Sequence, residues 1–132
     1  GWIGDIYADS IGKPVTKGEP LFTVYSPELL AAQSEYLEAL RRVRAKGGYG
    51  KGLLEAARRR LRLWNLAPAQ IRALAKRGRA REYIPILAPE TGVVIDKQIV
   101  AGSAFKAGQR LLRIADLSRV WVEAQVYDYE LP

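Results

Sequence analysis

The chain has no cysteine, histidine or methionine in its 132 residues. Disulfides are excluded, and so are the thiolate, thioether and imidazole ligands of most transition-metal sites. The absence of cysteine leaves the compartment open, because a protein of an oxidising compartment can do without disulfides. No apolar run approaches the length of about 18 residues that a membrane-crossing helix needs, and no signal peptide is visible. The first residues, Gly1-Trp2-Ile3, read as mid-strand, and Tyr129-Glu130-Leu131-Pro132 follows directly on a strand-like run. The expectation is a fragment of a longer protein. With no histidine, the commonest general base is missing. Asp5, Asp9, Asp96 and Asp116 are scattered at turns, where aspartate is favoured anyway. No nucleophile elbow or phosphate-cradling glycine loop appears. The reading is of a non-enzyme with no catalytic, cofactor or metal residues.

Acidic residues are also scarce where basic ones gather. The net charge is +7, but residues 27–81 hold 14 Lys/Arg and 4 Asp/Glu, a net of +10, while the remainder holds 7 and 10, a net of −3. Such a basic segment suits phosphate, lipid headgroups or an acidic protein, or is a solvated arginine-rich helix surface.

What is present is a repeat with an interruption. Gly12, Gly18, Leu21 and Val24 recur ninety residues later as Gly102, Gly108, Leu111 and Ile114. Gly1-Trp2-Ile3 recurs as Gly92-Val93-Val94 with an offset of ninety-one, which implies one residue of difference in a loop. Strand signals come from the apolar residues of 1–9, from Leu21–Tyr25, Tyr83–Leu87, Val93–Ile95, Ile99-Val100, Ala104-Phe105 and Leu111–Ile114, and from the alternating run Val120–Tyr127. Gly12, Gly18, Gly92, Gly102 and Gly108 punctuate them as structural turns. Pro85 predicts an edge or a bulge.

Between the halves the pattern is helical. Ser26 can cap, Pro27 suits the first helical position and Glu28 the positive end of the dipole. Leu29, Tyr36 and Val43 recur at seven, with Gln33 and Leu40 interleaved, which predicts an amphipathic helix ending near Lys46–Gly50. A second helix runs from about Leu53 to Trp64 on Leu54, Ala57, Leu61 and Trp64. A third opens at Pro68, behind a poor cap at Ala67, and closes at Gly78. The glycine-rich connection makes the first two antiparallel neighbours. The small β-halves on either side make the arm project. The fold expected is α+β: a discontinuous β-body from 1–26 and 82–115, a helical arm over 27–81, and the start of another β-domain over 116–132.

Two β-halves with matched glycine turns resemble a biotinyl/lipoyl-type barrel-sandwich. A carrier of that type bears a lysine on the hairpin joining its halves, and here that junction holds the whole arm. Lys97, near a turn after the arm, is the one candidate for a carrier reading, which an adduct in the intact mass would support. Nucleic-acid binding by the basic helices is a further alternative. It lacks a recognition-helix pattern and aromatics interleaved with the arginines.

With the inserted arm, the chain resembles the periplasmic adaptors, or membrane fusion proteins, of tripartite efflux pumps, in particular the heavy-metal (copper/silver) branch. The stretches that carry this are Gly18–Phe22, Tyr25–Leu29 with Ala32-Gln33, Arg60–Leu63, Ala69–Ile71, Ala88–Val94 and Ile114–Ala124, in order along nearly the whole chain. The resemblance implies a lipoyl-like barrel-sandwich hybrid with an inserted three-helix arm and the first strand of an adjoining β-barrel. It implies a periplasmic, inner-membrane-associated parent that links a resistance-nodulation-division (RND) transporter to an outer-membrane channel, and self-association into a ring. It carries over no metal site, because the residues that would form one are missing. The related drug-efflux adaptors' Arg-Leu-Ser tip motif is absent from Ala45–Lys51. Position and charge make Arg41, Arg42, Arg44, Lys46, Tyr49 and Lys51 the candidate partner-binding residues at the hairpin end; the alternative is a solvated tip.

Overall fold

A computed structural model describes residues 1–45, 47, 50–106 and 109–116. It is a mixed helix-and-sheet structure. The elements are β1 (Trp2–Ile6), β2 (Pro14–Val15), β3 (Pro20–Tyr25), α1 (Pro27–Ala45), α2 (Lys51–Leu63), α3 (Pro68–Arg77), β4 (Ile84–Leu87), β5 (Gly92–Lys97) and β6 (Leu112–Ala115). The chain separates into two compact units. One comprises Gly1–Val24 and the described residues from Tyr83 on; the other is Tyr25–Glu82. Gly108 and the run Val120–Tyr127 lie outside the described residues.

The β-unit has two three-stranded sheets, ordered β1-β3-β4 and β2-β5-β6. β4 runs antiparallel to β3, and β5 runs antiparallel to both β2 and β6. The ninety-residue repeat governs the hydrogen bonding. The Gly12 amide donates to the Val94 carbonyl at 2.7 Å, and the Gly102 amide donates to the Ile3 carbonyl at 2.8 Å. In return, the Val94 amide donates to Lys13 at 3.0 Å and the Ile3 amide to Ser103 at 2.8 Å. Each half therefore lends its turn to the other half's strand. The pairing Pro14↔Val93 has its counterpart in the bridge Trp2↔Ala104. The bond from the Tyr7 amide to Leu21 has its counterpart from Gln98 to Leu111. The turns closed by Glu19 on Thr16 and by Gln109 on Lys106 correspond as well.

The one-residue difference lies just after β1. There the amides of both Tyr7 and Ala8 donate to the Leu21 carbonyl, at 2.8 and 2.9 Å. The core follows the same equivalence: Ile3 with Val94, Val15 with Phe105, Leu21 with Leu111, and Val24 with Ile114 are all buried.

Two strand expectations need correction. Ile99-Val100 forms no strand, and Ala104 makes a single bridge, because this stretch closes the turn in which Ser103 donates to Val100 at 3.0 Å. Gly12, Gly18 and Gly102 take φ of +90°, +88° and +79°, a left-handed conformation that costs a side-chain-bearing residue about 1–2 kcal/mol. Gly92 differs: it opens β5 rather than a turn, and a Cβ there would collide with the Ala115 carbonyl. Its missing side chain serves the close approach of β5 to β6.

The helical unit is held by side chains. The Ser26 hydroxyl accepts from the Glu28 and Leu29 amides at 3.2 and 3.4 Å and donates to the Glu28 carboxylate at 2.7 Å, so the expected cap forms. Leu29, Ala32, Gln33, Tyr36 and Leu37 form the buried face of α1. Leu54, Ala57 and Leu61 form that of α2, and Ile71 and Leu74 that of α3. The three helices pack pairwise. Trp64 is only half-buried because α2 has ended: it is the cap residue, followed by Asn65 at φ +67°. Asparagine is among the few residues that accept that conformation readily. Ala67 has no acceptor to offer α3, but Gln70 Oε1 accepts from the Ala67 amide at 2.8 Å, half of a capping box.

The buried Gln33 closes the bundle. Its Oε1 accepts from the Arg81 amide at 2.9 Å and its Nε2 donates to the Arg81 carbonyl at 3.0 Å. One side-chain amide thus satisfies both backbone groups of a residue forty-eight positions away.

Candidate partner-docking site

Among the proposed contact residues, Arg41, Arg42 and Arg44 are exposed on the last turns of α1, and Lys51 is the exposed first residue of α2. The short connection between the helices gathers these four at one end of the hairpin. Lys46 and Tyr49 lie outside the described residues. The cations at this end are not equivalent. Glu38 accepts from Arg41 Nη2 at 3.0 Å and from Arg42 Nε at 3.3 Å. The hydrogen bond from Arg41, more than its charge, holds the Glu38 carboxyl below the usual glutamate range. Arg44 makes no ion pair among the described residues. The spacing of Glu38 from Arg41 and Arg42, three and four positions, is the sequence signal that identifies this tether.

Beside the hairpin end, α1 and α2 leave an open cleft of about 480 Å³. Ala39, Ala56 and Ala57 line it together with Ser34 and Leu53, a residue 66% exposed. Its charged lining includes Glu35 paired with Arg60 and Glu38 paired with Arg42. Outside the cleft lining, Arg58 of α2 lies 5.9 Å above the ring of the buried Tyr36 of α1. Guanidinium groups beside an apolar, small-residue cleft suit a protein surface, with the long side chains covering apolar area and keeping their charges in water. Sequence reading missed the cleft, since alanines at helical spacing carry little apolar signal.

Lys97, the candidate of the carrier reading, ends β5, and its Nζ donates to the Asp9 carbonyl at 3.1 Å. Among the described residues no group of three or more Asp, Glu, His or Cys is placed to hold a metal ion, and no helix is long and apolar enough to cross a membrane.

Residues 28–82 match the family model of the CusB three alpha-helical bundle domain. The cation efflux system protein CusB of Escherichia coli K12 is 32% identical over 126 residues, covering 96% of this chain and 30% of CusB. The membrane fusion protein SilB of Salmonella typhimurium is 30% identical over 129 residues, covering 96% of this chain and 28% of SilB. The crystal structure of ZneB from Cupriavidus metallidurans superposes with a TM-score of 0.50 over 89% of this chain and 58% of that one; at 20% identity this shows a shared fold. Over nearly its whole length the chain is thus similar to the cation efflux protein CusB and the membrane fusion protein SilB. It spans about 30% of the length of the CusB and SilB relatives. Its helical unit, with three helices packed pairwise, is similar to the CusB three-helix bundle domain.

Proposed function

We propose that the parent protein is a periplasmic, inner-membrane-associated adaptor that couples an RND transporter to an outer-membrane channel for export of heavy-metal cations. In this reading the chain is an assembly part rather than an enzyme. Residues 1–26 and 82–115 form a lipoyl-like barrel-sandwich, 27–81 form its helical arm, and 116–132 lead into an adjoining β-barrel. The observation that carries the proposal is the pair of interlocked half-repeats, with a CusB-type three-helix bundle inserted between them. Mutual exchange of turns makes the β-unit rigid, which suits a part that packs against its own copies in a ring. The hairpin end, with Arg41, Arg42, Arg44, Lys46, Tyr49 and Lys51, is the surface offered to a partner in the pump. The carrier alternative has less support: Lys97 is tied to a backbone carbonyl, away from the junction of the halves.

Deleting the parent gene in its own host and measuring tolerance to a panel of copper, silver, zinc and cobalt salts tests the reading. Sensitivity to at least one cation, restored by the wild-type gene, is expected. Unchanged tolerance to all of them, with the transporter expressed, overturns it. Charge reversal at Arg41, Arg42 and Arg44 tests the surface separately: complementation should fail while the protein still accumulates, and full complementation removes the hairpin end from the contact.

A further inference from the structure

The helical unit carries a second basic cluster, near its C-terminal end and apart in sequence from the hairpin tip. Arg72, Lys76, Arg77, Arg79 and Arg81 are all exposed, and none makes an ion pair among the described residues. The carboxylates of the unit are committed elsewhere: Glu28 to Ser26, Glu35 to Arg60, Glu38 to Arg41 and Arg42, and Glu55 to Arg58. Glu82 follows directly but forms no ion pair with them. The helix dipole accounts for Lys76 and Arg77, which lie in the last turn of α3. It does not account for Arg79 and Arg81, which lie beyond the helix.

The cluster is also held in place. Gly78 turns the chain back at φ +75°. Arg77 Nε then donates to the Arg79 carbonyl at 2.9 Å. The backbone of Arg81 is fixed by the Gln33 amide. Burial, then the charges of Arg81 and Arg79, hold the Arg77 guanidinium below the ordinary arginine range. An anion here gains attraction and relieves repulsion, against a segment whose main chain is already held at Arg81.

We propose that the segment Arg77–Arg81 docks an acidic segment of a protein partner, through guanidinium–carboxylate pairs. Carboxylate is favoured over phosphate because the helix end beneath the cluster is a C-terminus, whereas phosphate sites draw on the amides of an N-terminus, and the Arg81 amide is already taken. A lipid surface is disfavoured because no large apolar side chain is exposed between Arg72 and Glu82 to enter it. This site is independent of the efflux reading, and its failure leaves that reading untouched.

The test is a calorimetric titration of the full chain, at low ionic strength, with a short peptide alternating Glu and Ser. Phosphatidylglycerol vesicles and a short random DNA duplex serve as competing probes. Replacing both Arg79→Ser and Arg81→Ser should weaken peptide binding about tenfold. Arg59→Ser with Arg62→Ser removes the same charge from exposed positions of α2 and should change it by less than about twofold. Helical circular dichroism confirms that both variants fold; if the first does not, Arg79→Ser alone is compared with Arg59→Ser alone. Equal weakening in both variants means diffuse charge and overturns the proposal. So does absence of peptide binding, or tighter binding of vesicles or duplex.

Discussion

In the β-unit, Gly12 reaches Val94 and Gly102 reaches Ile3 through main-chain bonds, whereas in the helical unit a side chain, Gln33, ties α1 to the segment after α3. The β-unit is written twice in the sequence and carries the net negative share of the charge; the helical unit is written once, and its residues 27–81 carry +10. The contrast separates two ways of specifying a fold. Backbone exchange needs glycine at a few places and tolerates many side chains elsewhere, as a repeat with few identical residues shows. Helix packing depends on the volume and polarity of each seam residue.

The largest effect expected is at Gly92. Gly92→Val drives a side chain into the Ala115 carbonyl and should cost the β-unit about 3 kcal/mol or more. In a Trp64→Phe background, which leaves no tryptophan in the helical unit, thermal unfolding followed by tryptophan fluorescence and by helical circular dichroism should lose a common transition, with the helical signal the more persistent. If both signals fall together, the two units are not separately specified.

Leu61→Ala, at a fully buried position, should cost about 3 kcal/mol through its cavity, with the helical signal now the more affected. Gln33→Leu keeps the volume but leaves the Arg81 amide and carbonyl without partners, at about 2 kcal/mol. A denaturant midpoint unchanged from wild type would remove the clamp from the account. Gly12→Ala and Gly102→Ala should each cost about 1 kcal/mol, and by equal amounts, because their conformations and exchanged bonds correspond. Unequal costs would show that the repeat is closer in sequence than in energy.

The smallest effect is at the cap. Ser26→Ala should cost about 1 kcal/mol. The Ser26 hydroxyl, then the backbone of Glu28, hold the Glu28 carboxyl below the usual glutamate range. With the folded value depressed, its contribution is fully present above the ordinary glutamate value and fades as pH falls through the lowered one. Melting temperatures of wild type and Ser26→Ala, measured through the acid range, should therefore draw closer without meeting, because the amide bonds to the Ser26 hydroxyl do not titrate.

Much of this was legible in the residues. The ninety-residue offset identified equivalent glycines, and Ser26-Pro27-Glu28 marked the helix start. Equivalence did not reveal exchange, because a repeat says which residues correspond and not whether each half bonds to itself or to the other. Gly4 was overlooked because it punctuates nothing; its bare backbone accommodates the Thr23 hydroxyl and the Tyr83 ring. Gln33 was placed in the seam by its spacing, but its two bonds to Arg81 join positions with no common periodicity. The alanines of the cleft and the cluster at Arg77–Arg81 emerged only when the committed carboxylates could be traced.

The exchange of turns also sets an order of events during synthesis. Lys13 leaves the ribosome roughly eighty residues before Val94, the strand residue it must receive. At about 5–20 residues per second that is a wait of about 4–16 s. The first half must stay uncommitted through this interval, with Leu21, Phe22 and Val24 lacking the neighbours that later cover them, while the three helices emerge and can already pack. The insertion thus delays the meeting of the two halves.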